Sequence, residues 1–140
     1  MPRIVPPEGP LDCAIAIVGE APGEDEERFG RPFIGRSGQQ LEKYLATVGL
    51  QRSQIYLTNV VKEHPPHDDF RKFARRITSG KLKDTCEVTL EYEVYERALY
   101  EELNSCSANV IVAAGNWALY ALTRKFGIEK YRGSQLEAVP

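Results

Sequence analysis

The chain has 140 residues, 42% of them hydrophobic and 27% charged, with a formal net charge of −2, which suits one domain over 1–140 that buries a core. No apolar segment reaches the length of a membrane span and no charged-then-apolar leader opens the chain, so a cytoplasmic, intracellular protein with no membrane partner is expected. Three cysteines without a Cys-x-x-Cys pair argue against a disulfide scaffold and a four-thiolate metal site, and a pI of about 5.8 leaves any nucleic-acid binding to local charge.

The first element is the run Ala14-Ile15-Ala16-Ile17-Val18, short, β-branched and stopped by glycine, which reads as a buried parallel strand. The loop that follows carries Gly19, Gly23, Gly30, Gly35 and Gly38. At the C-terminal edge of an open α/β sheet such a loop lets backbone approach a ligand. It lacks both the dinucleotide-binding Gly-x-Gly-x-x-Gly and the Gly-Lys-Ser/Thr of a phosphate loop. Ser37 with Gln40 three residues on, then Leu41, Leu45 and Val48 at helical spacing and Gly49 beyond, predict a helix over 38–48 capped by Ser37.

A second strand is predicted at Ile55-Tyr56-Leu57-Thr58, ending at Asn59, and a third over 110–114, ending at Gly115. Between them, residues 63–69 hold two prolines and must be loop. Arg71, Lys72, Arg75 and Arg76 follow. Their spacing puts them on one side of a helix, either as a solvated face or lying along a DNA phosphate backbone. A helix is expected over 89–104 with an apolar stripe of Val94, Ala98 and Leu99 beside which Tyr92, Tyr95 and Tyr100 can pack, and another over 116–125. Residues 136–139 are read as the start of a last strand. The alternation predicts a three-layer α/β/α sandwich around a parallel sheet of about four strands.

Gly19-Glu20-Ala21-Pro22-Gly23, an acidic spacer, and Gly30-Arg31-Pro32-Phe33-Ile34-Gly35-Arg36-Ser37-Gly38-Gln39-Gln40-Leu41 together resemble the first signature of the uracil-DNA glycosylase superfamily. The form is that of family 4 enzymes and of related domains in phage DNA polymerases. Thr58-Asn59-Val60-Val61-Lys62 is similar to the family's second conserved run, and 110–122 to its third strand and helix. The resemblance implies base excision in DNA repair: a hydrolase that takes an extruded uracil from DNA and breaks its N-glycosidic bond. Phe33 matches the family's stacking phenylalanine, Asn59 would bond uracil's O4 and N3–H, and the backbone at Ala21 would contact the base. Where the main uracil-excising family has a water-activating aspartate, this chain has Ala21, so Glu26 becomes the candidate for positioning water and Glu20 for orienting the site.

The same resemblance sets further expectations. Family 4 holds an iron–sulfur cluster on four cysteines, whereas this chain has Cys13, Cys86 and Cys106, with Glu63 directly after Lys62. No cofactor and no metal are therefore expected, although His64, His67 and Asp68 form a weak ligand pattern. The loop bearing His64 and His67 is not expected to fold back over the pocket. Family members continue into a His-Pro-Ser motif that this chain lacks, so a C-terminally incomplete domain is expected. Expected partners are uracil-containing DNA, single-stranded DNA included, with a polymerase or another replication protein as a candidate. The rival reading is a non-catalytic nucleic-acid-binding accessory domain of a phage-type polymerase; a third is a nucleoside or nucleotide enzyme using the same strand-end pocket.

Overall fold

A computed structural model describes residues 3–83 and 85–138. In chain order these form β1 (Ile15–Gly19), α1 (Glu24–Phe29), α2 (Arg36–Thr47), β2 (Tyr56–Asn59), β3 (Ala74–Arg76), β4 (Cys86–Val88), α3 (Leu90–Asn104), β5 (Val110–Ala113), α4 (Asn116–Thr123) and α5 (Ile128–Tyr131), with 3-10 turns at Arg52–Gln54, Pro66–Asp68 and Phe70–Lys72.

The three β-branched runs pair as a parallel sheet in the order β2-β1-β5. Alternation along β1 feeds two cores. Ile17 packs with Leu45 of α2 and with Ile55 and Leu57 on one face. Ala16, Val18 and Tyr56 meet Leu99 and Leu103 of α3 and Ala118, Ala121 and Leu122 of α4 on the other. The helices thus cover both faces, as an α/β/α sandwich requires. Leu57 and Leu99 are fully buried, and removing one such side chain from water contributes roughly 2 kcal/mol. The outer edge of β2 is closed by Glu8, whose backbone exchanges hydrogen bonds of 2.9 and 2.7 Å with Leu57.

Several local expectations change. The described parallel sheet has three strands; residues 136–138 form no strand, and Val139 lies outside the described residues. Helix α2 starts at Arg36 with Gly35 as its N-cap, so Ser37 does not cap it. Glu26 secures that end instead, its Oε2 accepting the Gly35 amide at 2.5 Å. On α3 the buried stripe is Tyr92, Glu96, Leu99 and Leu103, while Val94 is 65% exposed. The tyrosine brings more apolar area inward and finds a partner for its hydroxyl, Glu96 Oε2 at 2.6 Å. The expected cationic helix at 71–76 is instead a 3-10 turn followed by β3, which pairs antiparallel with β4.

Candidate active site

A cavity of about 350 Å3 opens where β1 and β2 end, lined by Gly19, Glu20, Ala21, Phe33, Arg36 and Asn59 among others. A larger groove, about 540 Å3, runs along β5 against α4 and α5. Its lining is mainly apolar and includes none of Glu20, Phe33 or Asn59, so the convergence of polar groups, not size, marks the smaller cavity as the site.

Register puts Gly19 beside Asn59. A Cβ on Gly19 would lie 2.5 Å from Asn59 Oδ1 and 2.9 Å from Phe33 Cζ, so both side chains crowd one bare Cα. Asn59 is 5% exposed. Behind it, the buried Lys62 Nζ donates to Thr58 Oγ1 at 2.8 Å and to the Asn59 carbonyl at 2.5 Å, and it pairs with Glu102 at 2.9 Å. Burial lowers the Lys62 pKa, and the Glu102 carboxylate opposes that shift. Lys62 therefore fixes the strand end that carries Asn59. A charged residue closing an otherwise apolar run was the available sequence signal for it.

The two carboxylates hold backbone. Glu20 Oε2 accepts the Trp117 amide at 2.9 Å and lies against Gly115, tying the pocket to the start of α4. Glu26 Oε1 accepts Gly23 N–H at 2.8 Å, and Oε2 accepts Ile34 and Gly35 N–H at 3.2 and 2.5 Å. Three of its acceptor sites thus organise the loop on both sides of Phe33, leaving acceptor capacity on a residue that also lines the cavity. Glu26 sits in the first turn of helix α1.

His64 reaches the edge of the site without entering it: its Nδ1 lies 2.9 Å from the carbonyl of Pro22, a residue of the cavity wall, while neither His64 nor His67 lines the cavity. His67 is exposed, and no group of three or more His, Cys, Asp or Glu among the described residues is arranged to hold a metal. Cys13 and Cys106 meet with 3.2 Å between their sulfurs, burial and its neighbour raising the Cys13 thiol pKa. Cys86 sits on β4. The position after Lys62 holds Glu63, 3% exposed, which accepts from Tyr95 Oη at 3.0 Å and Lys72 Nζ at 3.3 Å. These residues do not fit a four-thiolate cluster.

The basic residues are spread over two elements and have partners. Arg71 binds Asp69 at 2.8 Å, Lys72 binds Glu63, Arg75 binds Glu87 at 2.8 Å, and the Arg76 guanidinium lies 4.8 Å from the Phe126 ring centre.

A parallel sheet sandwiched by helices, with a glycine-rich loop, Phe33 and Asn59 around one strand-end cavity, is the layout of an α/β domain with a ligand site at its strand ends. A family model for the uracil DNA glycosylase superfamily matches residues 6–138, and the chain belongs to that superfamily. It is 34% identical over 137 residues to a type-4 uracil-DNA glycosylase of Thermotoga maritima, covering 96% of this chain and 63% of that protein. It is 34% identical over 125 residues to the type-4 enzyme of Archaeoglobus fulgidus, 89% of this chain and 55% of that protein. A weaker similarity, 27% over 137 residues, is to a DNA polymerase of Bacillus phage SP01, 97% of this chain and 13% of the polymerase. The chain therefore spans less than two thirds of these relatives.

Proposed function

We propose that the chain is a uracil-DNA glycosylase domain that binds DNA, receives an extruded uracil in the strand-end cavity and, in complete form, hydrolyses the N-glycosidic bond. The observation that carries this is the meeting of Phe33 and Asn59 over Gly19, with the Glu20–Ala21 backbone beside them. The Phe33 ring would cover the uracil face. The Asn59 amide supplies a donor for O4 and an acceptor for N3–H, a pattern that cytosine's edge reverses. Uracil leaves as an anion while the sugar gains positive charge, so the site must aim donors at the carbonyl where charge develops. In this reading Glu26 holds a water with its remaining acceptor capacity and Glu20 keeps the loop aligned with α4.

Arg71, Lys72, Arg75 and Arg76 supply the DNA contact in this proposal. Each would exchange a carboxylate or aromatic neighbour for a phosphate, which makes the contact weak and salt-sensitive. The alternative, a non-catalytic accessory domain of a phage-type polymerase, draws support from two observations. The phage polymerase similarity covers nearly the whole chain, and Glu20 and Glu26 both spend acceptors on backbone amides.

The deciding experiment is uracil release from single- and double-stranded oligonucleotides, run beside a titration with free uracil. Excision that Asn59→Ala abolishes supports the glycosylase. Uracil binding without excision, persisting when the chain is extended by a His-Pro-Ser segment, supports the accessory domain. Absence of uracil binding sinks both forms of base recognition.

A further inference from the structure

Phe33 is held in an unfavourable backbone conformation. Its φ is +52°, in the left-handed region that a bulky L-residue rarely occupies, so surrounding structure must over-determine it. From one side the first turn of α2 presses on it, because Gly38 leaves no room for a Cβ beside the Phe33 carbonyl. From the other side comes Arg52, a residue outside the cavity lining. Its guanidinium donates Nη1–H to the Phe33 carbonyl and Nη2–H to the Pro32 carbonyl. Its Nε–H goes to Glu8 Oε2 at 2.8 Å.

Glu8 is itself anchored. Its second oxygen accepts Arg31 Nε–H at 2.7 Å, and its backbone is bridged to Leu57 of β2. Arg52 is 13% exposed on its side chain and has one further acidic neighbour, Glu42 at 3.8 Å. A continuous line therefore runs from Leu57 in the sheet through Glu8 and Arg52 to the two carbonyls at the foot of Phe33. The Phe33 ring then returns to the sheet at Gly19.

We propose that Arg52, oriented by Glu8, is a positioning residue that locks the Phe33 backbone so that its ring stands over Gly19 as one wall of the cavity. The rigid fork of an arginine matches two successive carbonyls and a carboxylate, which a lysine ammonium on its flexible stem does not reproduce. A stacking wall fixed before binding saves the ordering cost of a mobile ring, so the clamp acts on affinity through Phe33. The affinity part of this proposal rests on the cavity being the uracil site; the positioning part does not.

The test uses the full chain and two readouts. One is the nuclear Overhauser contact between the Phe33 ring and the Gly19 α-protons; the other is the affinity for free uracil by calorimetry. Arg52→Ala should lose the contact and weaken uracil binding by about tenfold, with Arg52→Lys recovering only part of the loss. In a Phe33→Ala background, Arg52→Ala should change uracil affinity by less than about twofold while still lowering the melting temperature. A merely structural arginine would affect melting alike in both backgrounds and leave the affinity of the folded variant intact. Should Arg52→Ala fail to fold, Glu8→Gln, which removes the charge that orients Nε, should weaken the contact and reduce affinity by about threefold. If wild type binds no uracil but Arg52→Ala loses the Phe33–Gly19 contact, the uracil reading fails and the clamp stands. An unchanged contact in folded Arg52→Ala, or in Glu8→Gln where the alanine variant does not fold, overturns the proposal.

Discussion

The narrowest constraint on the site is the missing side chain at Gly19. Its Cβ would meet Asn59 Oδ1 and the Phe33 ring together, so a side chain there must displace one or both. The φ of Gly19 is not positive, so alanine adds crowding without backbone strain. Gly19→Ala should fold with a penalty of about 1–3 kcal/mol, the range for overpacking, yet lose uracil affinity by about tenfold or more, since 1.4 kcal/mol of misplaced contact is already tenfold. Circular dichroism paired with calorimetry checks this; a folded variant with intact affinity would show that Phe33 and Asn59 are not the recognition pair. The placement of Phe33 and Asn59 at one cavity was legible in the motif. That of Arg52 was not, because its partners lie 19, 20 and 44 positions away and no local pattern announces them.

At the scale of elements, buried carboxylates decide how the helices are joined. Glu96 of α3, 11% exposed on its side chain, takes both Nη groups of Arg124 at the end of α4, at 2.7 and 2.5 Å, and the Tyr92 hydroxyl besides. Arg124→Ala would strand that carboxylate. Since the arginine is 42% exposed, screening reduces the cost from the range of a fully buried pair to about 2 kcal/mol, readable from urea denaturation. Arg71→Ala should leave the denaturation midpoint unchanged, because its pair with Asp69 stands in solvent.

Glu63 plays the comparable part after β2, joining that loop to Lys72 and to Tyr95 of α3. The protein should therefore fold and melt identically whether or not it is expressed with added iron, with no stoichiometric metal by elemental analysis. Iron retained in a fixed ratio through Cys13, Cys86 and Cys106 would contradict the polar substitute.

Over the whole molecule, five tyrosines set the alkaline limit of stability. Burial, the leading cause in each case, raises Tyr100 and Tyr120 to about 12, and raises Tyr56, Tyr92 and Tyr95 as well, with Glu102, Glu96 and Glu63 respectively adding to it. A folded-state pKa above the unfolded value of about 10 means that the unfolded chain releases protons first. This contribution is complete below pH 10 and is lost as pH rises beyond it. Lys62, whose pKa burial lowers, works in the opposite sense toward pH 10.5, but it is one group against five. The urea midpoint should fall steadily between about pH 10 and 12, and a midpoint that is flat across that interval would contradict the buried phenols.

The sequence by itself determined the parallel strands, the helices on either side and the loop that carries the site, because each is written in short-range periodicity and turn chemistry that fold locally in the same sense. It also determined the family, through a long motif near its start, and the family match extends over residues 6–138. Tertiary structure alone decided what the charged and polar residues do. Glu26 replaced Ser37 at the start of α2, and the cations at 71–76 went to a turn and a hairpin. His64 came back to the rim at Pro22, and Arg52 went behind Phe33. The physical reason is common to all four. A charged or polar side chain in sequence has many possible partners at similar cost, and only the three-dimensional arrangement of backbone donors, acceptors and desolvated surface selects one.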